Sequence, residues 1–589
     1  MQPQVLTQQR PRSVDGGVVA RAVGVLLLLP AAVLTIITLV VPTVGTVGTS
    51  TRNETFLSER DAEDVGFDNF GTVLGDGGFW PALGYAVSLV VLPILAAVVV
   101  APLLAAAVHW AGGWARVTTR VVLSLAVVVF SPVALGIAWL RALRDEPALL
   151  ADPDLAGGTV RTSVALMTFG VVCAIGVMVF LPAFRARHRR WPTLFTLAGL
   201  VVLGLLAVGL QQFTLPIVMT AFGPEDETMT PAGLVFREAF QHGNLGVGAA
   251  ASTVLLALLA VLGVAAVLVV ILTRLRVSVA PWRSRGPRTP VNGGAIVLAL
   301  LALAAVVVVA VLTTRPWFDA LGGPAPDGPS GGPTWQPAVL SAVVGVGVAY
   351  LAALGISGLR PLGRHSEWLL MPFAPWLFVG AAPLGVALFT SLRDEGSLGE
   401  EAVFPPILVS LVSLLVLAVL CRGQAERWRQ QTAAGAPAAG SFFRTVVLQT
   451  LPAALVMVVV VAFLTAQDLF WSLLTTQSPE DASAPLRLYM VNANLTAQDF
   501  SVASTTPLVA VVLGFVALAA VQALHLDRMT ATVGRPDDPT GPIRVPVMAP
   551  PAAGPAWSGA PLPGHEPPSG GVVPPDPARP AEGPGHGQA

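Results

Sequence analysis

The chain has 589 residues, of which 54% are hydrophobic and 11% charged, with a formal net charge of −1. Ordinary soluble domains carry about 25% charged residues, so this composition excludes a soluble globule and puts the chain in a lipid bilayer. The near-neutral balance also excludes a basic nucleic-acid binder.

All 33 basic residues are Arg. Cys173 and Cys421 sit in or at the end of apolar runs, where a thiol packs as a small hydrophobe rather than entering a disulfide or a metal site. At the N-terminus, Arg10, Arg12 and Arg21 precede an apolar run from Ala22 to Val47. That run is longer than the apolar region of a signal peptide and reads as a retained first span.

A helix needs about 20 apolar residues to cross a hydrocarbon core of about 30 Å. By that rule spans fall at 22–48, 84–108, 120–141, 162–184, 193–219 and 246–273, then at 291–313, 337–359, 369–391, 404–421, 446–470 and 505–526. The expected fold class is all-α integral membrane, with about 12 transmembrane helices as two six-helix halves. The domain division is a cytoplasmic N-terminus (1–21), a first half (22–273), a linker (274–290), a second half (291–526) and a tail (527–589). Pro and Gly crowd that tail and leave too few large apolar residues to offset ordering entropy, so it is expected to be disordered.

Arginine asymmetry sets the orientation, because positive loops stay in the cytoplasm. Arg116 and Arg120, Arg185 to Arg190, Arg274 to Arg288, Arg360 and Arg364, and Arg422 to Arg444 fall in alternate loops. The intervening loops are acidic, with Glu54 to Asp68, Glu225-Asp226-Glu227, and Asp394 to Glu401. Both termini are therefore expected in the cytoplasm, and the localisation is the plasma membrane.

Charged residues inside spans are costly in lipid and usually functional. Only Asp468 and His525 come near to such positions, each close to a span end. The Gly322-Gly323 and Gly331-Gly332 pairs precede no Lys-Ser or Lys-Thr and form no phosphate-binding loop. The chain is thus expected to be no enzyme and to use no cofactor or metal; any energy for transport comes from a partner. Gln211, Gln212, Gln467 and Asn494 are candidate solute contacts by type alone, and packing or loop roles suit each of them better.

Several strings resemble the paired permease subunits of ATP-binding-cassette importers for sugars, the maltose-type permeases. Phe67-Asp68-Asn69-Phe70 and Phe79-Trp80-Pro81-Ala82-Leu83 look like the family's entry into its core spans. Arg120-Val121-Val122-Leu123 through Phe130-Ser131-Pro132-Val133 is similar to the third span. Val235-Phe236-Arg237-Glu238-Ala239-Phe240, Gly243, Gly246 and Ala249 to Ser252 resemble the approach to the last. In the second half, Phe463 to Phe470 resembles the Trp-Asn-Glu-Phe-type string of the partner subunit. The resemblance spans roughly residues 20 to 530 and implies both subunits fused head to tail, divergent in the coupling loops.

The resemblance further implies cytoplasmic ATPase subunits, an extracytoplasmic solute-binding protein and membrane lipid as partners. It also implies a cytoplasmic coupling loop between the fourth and fifth spans of the second half, at Arg422 to Pro452. There Gly435, Ala436, Phe442, Phe443 and Arg444 match the family's Gly-Ala and Phe-Arg portions. The family's Glu is replaced by Gln430, Gln431 or Thr432, according to where a gap is placed. In the first half the equivalent stretch is a short basic turn, so Arg187, Arg189 and Arg190 offer at most a weak contact. The competing classes are a secondary, ion-coupled transporter and a degenerate permease-like accessory protein.

Overall fold

In lipid a spanning segment must satisfy its backbone polar groups internally, so long apolar runs become helices. The computed structural model describes residues 18–56, 62–75, 78–186, 190–280, 293–319, 332–398, 404–478, 481–493 and 505–534. Among them, nine helices are long and apolar enough to cross a membrane. These are α1 (Val18–Ser50), α2 (Phe79–Ala111), α5 (Pro153–Phe184), α6 (Arg190–Leu210), α8 (Leu245–Thr273), α9 (Gly293–Thr313), α10 (Thr334–Leu359), α13 (Ala438–Ala466) and α15 (Leu508–Arg528). A further apolar pair, α3 (Gly113–Val128) and α4 (Pro132–Ala142), is bent by 79° and makes a tenth if the two together form one broken span. Large apolar side chains such as Leu26, Ile37, Leu301 and Leu312 are exposed along these helices. In water they would form an untenable patch, and in lipid they are the solvated surface. The chain is a multi-pass helical membrane protein.

Two of the expected spans take another form. Residues 369–391 are not one α-helix but a 3-10 helix, Gly363–Trp376, a break, and a short helix α11 (Gly385–Glu395). Pro372, Pro375 and Pro383 each remove a backbone donor from this stretch, which defeats a continuous α-helix. Pro405 and Pro406 likewise keep residues 404–410 out of a helix. The helix α12 (Leu411–Ala433) starts only after them and continues well beyond the expected end, through Arg422, Glu426 and Arg429.

Proline shapes the other breaks as well. Pro132 forces Ser131 into an extended conformation and ends α3. Pro216, inside α7 (Thr214–Thr220), has no N–H to offer the Gln212 carbonyl. That carbonyl accepts instead from the Thr230 hydroxyl at 2.6 Å. A further break separates α13 from α14 (Phe470–Thr475).

The packing of these helices is reciprocal. α1 lies against α10, far along the chain, while α9 lies against α2 and α5 near its start. α8 packs on the 3-10 helix Gly363–Trp376, and α15 packs on α3. After α8 and after α15 the chain forms short strands, β1 (Arg276–Val279) and β2 (Met529–Thr532), which pair antiparallel with Arg276 opposite Thr532. Both strands fall where the sequence suggests linker and tail, and only residues 535–589 of that tail lie outside the described residues. The Ser278 and Thr530 hydroxyls meet at 2.9 Å, and Arg276 Nε donates to Thr532 Oγ1 at 3.0 Å.

Two strands alone are marginal, and this pair is supported by α12. Gly423 lets that helix approach so closely that a Cβ there would collide with the Val277 carbonyl. Gly423→Val is therefore expected to lift the sheet from the helix at about 1–3 kcal/mol, the usual range for overpacking. Amide hydrogen exchange in β1 and β2 should then quicken by about tenfold or more.

Candidate functional site

Four chain breaks converge on one cavity of about 400 Å³. Its wall is built from Gln211 to Thr214 after α6, Gly380 to Ala382 after the 3-10 helix, Pro405 to Ile407 with Val409 and Ser410 before α12, and Asp468 with Phe470 after α13. Ser341, Ser410 and Thr465 add hydroxyls, and Phe213, Ile407, Leu464 and Phe470 add apolar surface. Asp468 supplies a carboxylate, which also accepts the Phe470 N–H at 3.1 Å and so fixes the start of α14. The cavity is mostly apolar with a few convergent polar groups, the usual lining of a small-molecule pocket.

Two glutamines hold the breaks in place, each from a distant part of the chain. Gln211 Nε2 donates to the Phe378 carbonyl at 2.8 Å, and Gln211 Oε1 accepts the Gly380 N–H at 2.7 Å. Gln467 Oε1 accepts the Ser131 hydroxyl at 2.7 Å, and Gln467 Nε2 donates to Thr506 Oγ1 at 3.1 Å. Each side chain thus braces the break in a span remote from its own. Of the candidate solute contacts, Gln211 and Gln212 both line the cavity, Gln211 and Gln467 are occupied in these clamps, and Asn494 lies outside the described residues. The strings Leu210-Gln211-Gln212-Phe213 and Ala466-Gln467-Asp468-Leu469, both at span ends, are the sequence signal that would have found the clamps.

The expected coupling loop is a helical hairpin. α12 ends in a turn where the Gly435 N–H bonds to the Thr432 carbonyl and the Ala436 N–H to the Gln431 carbonyl, both at 3.0 Å. Gly435 has φ +94°, the left-handed position that closes a Schellman cap. Ala436 is partly exposed at the tip. Pro437 then starts α13, whose residues Phe443–Val447 form a π-turn. Trp428 Nε1 donates to the Ala438 carbonyl at 3.0 Å, and the Trp428 and Phe442 rings meet edge to face at 5.0 Å. Phe442 is thereby a packing residue, whereas Phe443 and Arg444 are exposed. Arg187 and Arg189 lie outside the described residues, and Arg190 is the partly buried first residue of α6.

Arginines from α3, α12, β1 and the ends of α5 and α10 gather at one face. Glu367 pairs with Arg360 and, at 3.4 Å, with Arg422 Nε. Arg276 Nη1 meets Glu426 at 3.1 Å, which ties β1 to α12. Asp527 meets Arg116 Nε at 2.9 Å, Arg120 Nη2 at 3.1 Å and Arg185 Nη1 at 3.8 Å. Burial pushes the Arg185 guanidinium below its ordinary value, and the Asp527 charge opposes that shift. A second cavity, of about 530 Å³, is lined by Tyr85, Arg161, Arg237 and the acidic run Glu225 to Glu227.

Neither the protein-family models nor the curated proteins contain a match to this chain.

The clamps make a testable contrast. Gln211→Ala and Gln467→Ala each strip partners from polar groups at a break, at about 1–3 kcal/mol for each group left buried and unpaired. Both should lower the thermal unfolding midpoint in detergent, whereas Gln212→Ala, whose side chain faces the cavity, should leave it nearly unchanged.

Proposed function

We propose that the chain is the membrane-spanning permease of an ATP-binding-cassette importer, two six-span permease halves fused in one polypeptide, moving a sugar or similar polar solute through the cavity. The reciprocal packing carries this reading. The first span of residues 22–273 packs on the later part of the chain, and the first span of residues 291–526 packs on the earlier part. The last spans of both parts, α8 and α15, pack on the broken span of the other. Both parts place a Gln at the end of a span, both continue into a short helix after it, and both follow the last span with a strand. A duplicated architecture with its solute site at discontinuous helices accounts for all of these together.

In this reading the arginine-rich face is cytoplasmic, and separate ATPase subunits dock on the hairpin tip. Gly435 and Ala436 shape the tip, Phe443 and Arg444 supply the contact, and Phe442 keeps the two helices together. A solute-binding protein delivers its cargo at the acidic face, where Glu225 to Glu227 rim the second cavity. ATP-driven closure of the ATPases moves the hairpin as a rigid lever and opens the cavity to alternate sides. The test is co-purification of the intact chain with its ATPase. Phe443→Ala with Arg444→Ala should reduce retained ATPase by about tenfold, the effect of losing about 1.4 kcal/mol of contact, and equal retention would remove the coupling role.

One observation favours an ion-coupled transporter instead, namely the Asp468 carboxylate on the cavity wall. The two readings separate in proteoliposomes. Uptake that needs ATP and survives Asp468→Asn supports the importer. Uptake driven by an ion gradient and abolished by Asp468→Asn supports the alternative.

A further inference from the structure

The cluster around Asp527 is out of charge balance. Three guanidiniums, those of Arg116, Arg120 and Arg185, converge on a single carboxylate. The side chains of Arg116 and Arg120 are 11% and 2% exposed. Burying positive charge without a counter-charge is costly. Arg185 Nη1 is buried with no hydrogen-bond partner among the described residues. Beside it His109 is only 9% exposed, and its Nδ1 also lacks a partner. Arg116 Nη1 donates to the His109 carbonyl at 3.4 Å, the His109 and Phe184 rings lie 6.3 Å apart, and Arg190 opens α6 directly before Trp191. Unsatisfied donors and surplus positive charge therefore share one place, and an anion with several acceptor oxygens would satisfy both.

The surroundings identify the kind of anion. Trp110 and Trp114, which flank the turn between α2 and α3, are half exposed. Trp191 and Phe195, at the start of α6, are more exposed still, with their rings 6.4 Å apart. Exposed tryptophans at span ends mark the headgroup level of a bilayer. A stripe of exposed apolar residues runs along α2 at Leu103, Val99, Leu95 and Leu92, at the three-to-four-residue spacing of one helix face, and Trp110 lies two turns beyond Leu103. Phosphate chemistry at the headgroup level, continuous with an apolar stripe along a span, fits a lipid rather than a free ion.

We infer that Arg116, Arg185, Arg190 and His109 form a binding site for the phosphodiester headgroup of an anionic phospholipid, with an acyl chain lying along the exposed stripe of α2. The site is separate from the solute cavity and stands whether or not the transport reading does.

The test uses the full chain, purified and stripped of lipid in detergent, with the thermal unfolding midpoint as readout. Phosphatidylglycerol, at about a hundredfold excess over its dissociation constant, should raise the midpoint by about 2–5 °C. Phosphatidylcholine should raise it by less than half as much, and inorganic phosphate at matched concentration should have little effect. Arg185→Gln should remove most of the phosphatidylglycerol shift. Arg190→Gln, at a more accessible position, should reduce it and serves if Arg185→Gln fails to fold. Native mass spectrometry should show one phosphatidylglycerol retained by the wild-type chain and lost from these variants. Equal shifts with phosphatidylcholine would overturn the site. A full effect from inorganic phosphate would make it a free-anion site and overturn the lipid assignment. An undiminished phosphatidylglycerol shift in every variant that folds would overturn the choice of residues.

Discussion

A broken helix in a membrane exposes backbone groups that no water is there to satisfy, and the centre of this protein depends on how that demand is met. Backbone groups at the breaks are met from outside their own helix turns, the Gln212 carbonyl by Thr230, the Phe378 carbonyl and Gly380 N–H by Gln211, and the Phe470 N–H by Asp468. Gln211 has the largest part in this, because one amide both donates and accepts and so meets a carbonyl and an N–H together, while Gln467 ties together the Ser131 and Thr506 hydroxyls. Low dielectric strengthens these bonds and makes their loss expensive. Unbroken helices would need no such clamps, but they would also pack side by side and leave no room for a cavity at the four breaks.

The arginine-rich face follows a different logic, that of charge. Glu367 and Asp527 each draw together arginines from separate segments of the chain, and Glu426 ties Arg276 to α12. The hairpin of α12 and α13, the β1–β2 sheet on α12, and the Asp527 cluster just before β2 form one continuous set of contacts. Stiffness in that set comes from the close approach at Gly423 and from the Trp428–Phe442 contact, both of which depend on shape rather than charge. Where the charges do not balance, around Arg116, Arg120 and Arg185, the structure leaves donors open, and that surplus sets the lipid site apart from the other clusters.

Much of the fold was legible before any coordinates. Apolar runs of 20 or more residues located α1, α2, α5, α6, α8, α9, α10, α13 and α15 to within a few residues at many of their ends, because only helices cross lipid. The errors fell where proline intervened. Pro372, Pro375 and Pro405 to Pro406 changed the form or the start of two segments whose hydropathy alone looked sufficient. The strands β1 and β2 were missed because four residues carry no usable periodicity, and their pairing joins positions more than 250 residues apart. At the hairpin, sequence identified Gly435, Ala436, Phe442, Phe443 and Arg444 as a group but could not tell the partly buried, packed Phe442 from the exposed Phe443.

Composition and hydropathy by themselves determined that this is a helical, multi-pass membrane protein, since transfer of apolar area into lipid is a sum over residues and needs no knowledge of neighbours. Arginine placement marked alternate loops for the same reason. Which polar residues brace the breaks, which line the cavity, and which arginines are left without a counter-charge were decided only by tertiary structure. Those roles depend on partners brought together across hundreds of residues, as Gln467 is to Ser131 and Arg116 is to Asp527, and hydrogen bonds and ion pairs act over a few ångströms in space.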